Sequence, residues 1–183
     1  GWYHLHAQSA DREPICTARF FDGHVKGMHL LELFSGTQSI GRAARARGHT
    51  VTSVDLDARF EPTLCCDVLD LRPEDLERPD CIWASLPCTM FSRARTRAKT
   101  QRDLAGADAL VRKARQLAEH WGVPFLLENP EDLLVGREVV AGLPIARVDY
   151  CQYRDERWDR CYRKRTCLWG LPAFVPRRPL CDR

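Results

Sequence analysis

The segment from Met28 to Asp57 restricts this chain to a narrow set of folds. Met28-His-Leu-Leu-Glu-Leu-Phe34 is a short apolar run without helical spacing and reads as a strand. Ser35-Gly36-Thr37 follows as a tight turn. Ile40, Ala43, Ala44 and Ala46 then mark a helix that stops at Gly48, a residue suited to closing it. Thr50 to Val54 is the next strand, closed by Asp55-Leu56-Asp57. Strand, glycine turn, helix, strand and acid is the layout of a Rossmann-like nucleotide pocket. The glycine lets the backbone approach a ligand, and an acid at the end of the second strand accepts from both hydroxyls of a ribose. A plain α/β unit with an ordinary turn has the same outline, so spacing alone leaves both readings open.

The pattern continues along the chain. Leu64-Cys65-Cys66, ended by Asp67, is a third strand, and Pro73 to Leu76 is a turn of helix. Cys81 to Ala84 is an apolar run that breaks at Pro87 and presents Cys88 at the start of a polar loop. A thiol just past the carboxyl end of a central strand stands where open α/β sheets build their sites. Arg93 to Arg102 is basic and lacks an apolar face, which predicts a mobile loop. From Asp103 to Trp121 apolar residues recur at three- and four-residue steps, predicting an amphipathic helix. Pro124 to Leu127 is a fifth strand ending in Glu128-Asn129-Pro130. Glu131 to Val140 reads as another helix, Ile145 to Tyr150 as a sixth strand and Thr166 to Trp169 as a seventh. Alternating strands and helices imply a mostly parallel sheet with helices on both faces. The 183 residues suffice for one such domain, over 28–183, with 1–27 as an extension packed on it.

Charge and cysteine usage bound the setting. Net charge is only +3, but basic residues cluster after Cys88 and again between Arg154 and Arg165. Two basic segments flanking one candidate site point to a polyanionic partner. The nine cysteines are an odd, scattered set rather than a secreted disulfide framework. Neither Cys151, Cys161, Cys167 and Cys181 nor His4, His6, Cys16 and His24 match a standard zinc-finger spacing, and no metal is expected. No apolar run is long enough to span a bilayer, and no leader is visible. The expected setting is the cytoplasm or nucleus, wherever the nucleic acid is, and not the secretory route.

Four segments in fixed order now resemble one family, the DNA (cytosine-5) methyltransferases. Leu33-Phe34-Ser35-Gly36-Thr37 is similar to their first cofactor motif, and Ser85-Leu86-Pro87-Cys88 to their Pro-Cys nucleophile motif. Glu128-Asn129 resembles their Glu-Asn motif, and Arg163-Lys164-Arg165 the Arg-x-Arg end of a Gln-x-Arg-x-Arg motif. The small viral or phage-like members look nearest. The resemblance covers residues 28–170 and implies a Rossmann-like seven-stranded methyltransferase sheet with S-adenosylmethionine (SAM) as donor. It implies that Phe34, Ser35 and Gly36 line the donor's methionine and ribose region, and that Thr37 and Pro87 also bind the donor. Asp55 would hold the ribose hydroxyls with Leu56 against the adenine, and Asp67 would accept from the adenine amino group with Val68 beside it. Cys88 would be the nucleophile, Glu128 the acid that binds the base, and Arg165, supported by Arg163, the contact to the cytosine carbonyl. Ser92, Arg93, Arg95, Arg97 and Lys99 would touch DNA phosphates.

The implied chemistry suits these residue types. Carbon 5 of cytosine is a poor nucleophile until a thiolate adds to carbon 6, so covalent catalysis splits one hard step into easier ones. A protonated Glu128 would donate to ring nitrogen 3, and an arginine would stabilise charge on the ring oxygen. The base must be flipped out of a duplex to reach such groups. Four departures stand out: Gln38 at a glycine position, Leu86 before Pro-Cys, Pro130 after Glu-Asn, and Cys161 where the glutamine belongs. The family's long target-recognition region is not found after Trp169, which implies low sequence specificity or specificity supplied by another chain. Cytosine-5 methylation of RNA or of a free nucleotide is the alternative reaction. A weakly active homologue that binds nucleic acid or regulates a partner is a further alternative.

Overall fold

The computed structural model describes residues 27–153, 163–171 and 174–182. The expected N-terminal extension, Arg154, Arg157, Arg160 and Cys161 lie outside the described residues.

The core is a seven-stranded sheet in the order β3-β2-β1-β4-β5-β7-β6. Its strands are β1 (His29–Leu33), β2 (Thr50–Asp55), β3 (Leu64–Cys65), β4 (Cys81–Ser85), β5 (Phe125–Pro130), β6 (Ile145–Asp149) and β7 (Arg165–Trp169). β1 to β5 pair in parallel, whereas β7 enters antiparallel between β5 and β6. All five residues of β1 are buried, as a central parallel strand covered on both faces requires.

Two helices cover opposite faces. α1 (Ser39–Arg45) packs Ala44 and Ile40 on the face carrying Leu30 and Cys81. α2 (Leu104–Trp121) buries Ala107, Val111, Ala114 and Leu117 against the face carrying Leu31, Leu33, Ile82 and Leu127. The Asp103 side chain accepts from Gly106 N at 2.8 Å and starts α2. Left-handed Gly122 (φ +61°) ends it. The Rossmann-like expectation thus holds, helices on both faces included.

Two expectations of local structure differ. β5 does not stop at Leu127 but runs through Glu128, Asn129 and Pro130, which pair with β7. The segment 131–140 is not an α-helix but two short 3-10 turns, Leu133–Gly136 and Glu138–Val140. Leu133 N donates to Phe91 O at 3.1 Å, and Arg115 donates to Val139 O at 2.7 Å. These distant partners, with Gly136 in the middle, divert the backbone from a helical path.

The strand order reverses between β1 and β4, which are neighbours although β1 leads to β2 on one side and β3 returns to β4 on the other. Crevices open at the carboxyl ends of strands at such a switch point. The glycine turn after β1 and the Cys88 loop after β4 both emerge there.

Candidate active site

The glycine turn is built around Asp55. Its carboxylate accepts from Gly36 N at 2.7 Å and from Asp57 N at 2.9 Å. A carboxylate offers about four lone-pair sites, so two remain for hydroxyls of a ligand. Gly36 has φ +45°, and a Cβ added there would meet no atom within 4 Å, so the space over the turn is open. The buried Ser35 hydroxyl and Glu32 Oε2 find no partner among the described residues. Burial pushes the Glu32 carboxyl above its ordinary range, countered by backbone N–H groups of α1 and by Arg45 and Arg42. Leu56 is 71% exposed and Phe60 38%, one apolar side chain largely bare and one partly so on the loop after Asp55. Among the described residues the non-glycine positions with positive φ are Phe34, Gln38 and Glu61. All three surround this turn, as strained backbone tends to at ligand clamps. An open cradle, a carboxylate with spare lone pairs and uncovered apolar side chains fit an adenosine-containing donor. Thr37 and Pro87 are exposed, whereas Phe34 packs partly on the core. Asp67 holds Leu69 N at 2.9 Å with one oxygen. Val68, next to Asp67, has its side chain in the core, which leaves its backbone to face a ligand.

The Cys88 loop is pinned on both sides of an exposed tip. Leu86 and Phe91 are buried, and Phe91 N donates to Cys88 O at 3.0 Å. Pro87 and Cys88 lie exposed between them. Asn129, fully buried, donates from Nδ2 to Leu86 O at 3.0 Å. β4 and β5 pair so that Ser85 stands opposite Glu128. The Glu-Asn pair therefore sits beside the Cys88 loop, the asparagine holding the loop and the glutamate one residue behind it. Cys167, unlike the exposed Cys88, is buried, and burial pushes its thiol up to about 11.

Glu128 is itself buried. Its Oε1 accepts from the Tyr150 hydroxyl at 3.0 Å and lies 3.8 Å from Lys164 Nζ. Lys164 also sits 5.0 Å from the Tyr150 ring centroid. Neither residue was singled out from sequence. The signal was their flanking of the aromatic and basic β6–β7 connection, without a register to show which side chains face Glu128.

Arg165 is paired with a buried carboxylate. Its guanidinium donates to both oxygens of Asp149, at 3.1 and 2.9 Å, and the Asp149 side chain is 0% exposed. Asp149 also accepts from Cys181 N at 2.8 Å. Arg165 beside it holds the Asp149 carboxyl below the ordinary carboxylate range. Among the described residues no ion pair joins Arg165 to Glu128, and Arg163 is exposed. Glu128 and Lys164 thus stand at the edge from which the Cys88 loop emerges, and Arg165 is paired with Asp149.

The basic loop 93–102 is tethered more than its composition predicts. Arg93 N donates to Asp132 at 2.6 Å. Arg95 donates to Thr100 and Gln101 within the loop. The Ser92 hydroxyl accepts from Ala94 N, and Arg102 donates to the carbonyls of Met90 and Ser92. Arg97 and Lys99 remain exposed with no partner among the described residues.

No group of three metal-ligating side chains comes together among the described residues, and no helix there is long and apolar enough to cross a membrane.

No family model matches the chain. It is 36% identical over 172 residues to the "Probable DNA (cytosine-5)-methyltransferase" of Frog virus 3 (isolate Goorha), covering 82% of this chain and 74% of that protein. Solved structures share its fold at low identity. A SAM-dependent methyltransferase from Agrobacterium tumefaciens matches with a TM-score of 0.54 at 14% identity, over 85% of this chain and 60% of that one. The magnesium protoporphyrin IX methyltransferase of Synechocystis PCC 6803, solved with bound SAM, matches with a TM-score of 0.50 at 14% identity, over 81% and 72%.

Proposed function

The chain belongs to the DNA (cytosine-5)-methyltransferase family, and from that membership we propose that it methylates carbon 5 of cytosine in DNA through a covalent adduct at Cys88. The observation that carries this reading is the junction of β4 and β5. Asn129 donates to Leu86 O, and Glu128 lies opposite Ser85, so a nucleophile loop and a base-binding carboxyl share one edge.

SAM supplies an electrophilic methyl group when bound. The residues that would hold it are Ser35, Gly36 and Thr37 in the turn, Asp55 for the ribose, Leu56 for the adenine face, and Asp67 for the adenine amino group.

The other steps belong to the chain's own side chains. The Cys88 thiolate adds to carbon 6 of the flipped base and pushes electron density toward carbon 5 and ring nitrogen 3. Glu128 holds a proton at nitrogen 3 and absorbs that density. The Tyr150 hydroxyl donates to Glu128 Oε1, which reserves that oxygen as acceptor and leaves Oε2 to carry the proton toward the base. Lys164, the cation nearest Glu128, stabilises charge on the ring oxygen, with Arg163 in support. Arg165 acts through Asp149, fixing the start of β7, which Lys164 immediately precedes. Once carbon 5 is substituted, loss of its proton lets the thiolate leave and restores the ring. Arg97 and Lys99 are the loop cations left over for phosphates, and such contacts position a strand without reading its sequence.

The test uses DNA carrying 5-fluorocytosine, whose fluorine blocks proton loss and traps the adduct. With SAM present, the parent chain should form a denaturation-resistant complex, Cys88→Ala none, and Lys164→Met the same complex more slowly. RNA and free nucleotide serve as parallel arms. No adduct on any of them, with donor binding demonstrated, would sink the covalent reading, and an adduct on RNA alone would reassign the substrate.

A further inference from the structure

Gln38 lies between the glycine turn and α1 with a left-handed backbone, φ +54°. Glycine adopts that conformation freely, and a residue bearing a side chain does so at a cost. Gln38 offsets that cost through the hydrogen bonds of its side chain. Its Nε2 donates to Phe60 O at 2.9 Å and to Glu61 O at 3.0 Å. Its Oε1 accepts from Arg45 Nη1 at 3.1 Å, and Arg45 reaches back from α1 toward Val51 O at 3.5 Å. One amide thus joins the turn after β1, the last turn of α1 and the loop after β2.

The tied loop is the one that carries the bare apolar side chains. Phe60 and Glu61 close the 3-10 turn Ala58–Phe60, and Glu61 is itself left-handed at φ +49°. Leu56 and Phe60 stand on the stretch between Asp55 and this tie. Leu56 is largely uncovered and Phe60 partly so, and both stand on the loop that follows the carboxylate with lone pairs to spare.

We propose that Gln38 is a positioning residue for the methyl donor. It latches the loop 56–61 to the glycine turn, so that Leu56 and Phe60 form the purine-covering wall before any ligand arrives. The proposal rests on the donor lying over this turn. A wall held in advance needs less ordering on binding, and that difference appears as affinity.

Calorimetric titration of S-adenosylhomocysteine, the donor without its reactive methyl, into the full chain and into Gln38→Ala, Gln38→Gly and Gln38→Glu tests this. Each variant should bind roughly tenfold more weakly than the parent. Gln38→Gly is the diagnostic arm, because it removes the latch and relieves the left-handed strain. It should melt no lower than the parent and still bind more weakly, which a merely structural role would not produce. Gln38→Glu keeps an acceptor for Arg45 but sets a carboxylate against two carbonyls. A second readout needs no ligand: amide hydrogen exchange across 56–61 should quicken in Gln38→Ala and Gln38→Gly. Parental affinity in Gln38→Gly, or unchanged exchange, overturns the latch and leaves the donor reading standing. A parent chain that binds no S-adenosylhomocysteine overturns the donor reading, and the role of Gln38 falls with it.

Discussion

Replacing Asn129 by alanine tests the junction on which the active-site reading turns. The Asn129 side chain is fully buried and so is Leu86, so water cannot reach the freed Leu86 carbonyl without opening the structure. Leaving one buried carbonyl unsatisfied costs about 1–3 kcal/mol. The truncation removes only an amide, so the cavity adds little. Loss of Asn129 Oδ1, which has no partner among the described residues, gives some of the cost back. The net expectation is a destabilisation of about 2 kcal/mol, which lowers the melting temperature of a domain this size by about 4–8 °C. Leu86 is two residues from Cys88, so the proposed nucleophile would lose an anchor of its loop. Adduct formation on 5-fluorocytosine DNA, followed well below the melting temperature, should slow by at least roughly tenfold, since small misplacements of reacting groups are costly. Binding of S-adenosylhomocysteine should not change, because the donor turn hangs on β1 and β2. Asn129→Asp keeps the shape and loses the donor, so it should reproduce the slowing. If either variant is destabilised as expected yet forms adduct at the parental rate, Asn129 is packing and not an aiming device, and the argument from the junction fails.

Two further outcomes follow from the charge arrangement. Asp149→Asn should destabilise the fold by about 2 kcal/mol at neutral pH, less than a wholly buried pair because Arg165 keeps 28% of its side chain exposed. Asp149 titrates below its ordinary 3.8 in the folded chain, so the stabilisation is present above that value and is lost as pH falls through the lower, folded one. Urea unfolding across pH should therefore show parent and variant converging below pH 3.8, and a constant gap would exclude the ion pair as the cause. Replacing both Arg97 and Lys99 by alanine should flatten the salt dependence of duplex binding by roughly two units of log–log slope, about 0.9 per phosphate contact. An unchanged slope would remove this loop from the DNA interface.

The parts of the fold legible in the sequence were those governed by short-range pattern. The strand, glycine turn and helix from Met28 to Gly48 announce themselves by local spacing, and α2 by its three- and four-residue repeat with Asp103 and Gly122 at its ends. Cys88 and Glu128 were legible because each closes or follows an apolar run. What escaped was set by register and by distant partners. Arg163, Lys164 and Arg165 look alike in sequence. Only the pairing of Asp149 with Arg165 in an antiparallel ladder decides that Arg165 meets a buried carboxylate while Lys164 reaches Glu128. The segment 131–140 has apolar residues enough for a helix, yet its backbone bonds run to Phe91 and Arg115. Gln38 looked like an intrusion at a glycine position, because the carbonyls it serves lie more than twenty residues onward.

The direction of β7 has one more consequence. Because that strand runs against both its neighbours, the chain leaves β6 and enters β7 at the same edge of the sheet, where Cys88 also emerges. The stretch between Asp149 and Arg165 is thus a connection whose two feet are clamped together by one ion pair. Its length and sequence can vary at small entropic cost without shifting either strand. β1, β2 and β3, which carry the donor turn, share no hydrogen-bonded edge with it. Insertion into that connection is expected to leave the donor turn on β1 and β2 unchanged, which S-adenosylhomocysteine titration of the altered chain would check. The sheet thus keeps the donor turn and the β6–β7 connection on separate strands.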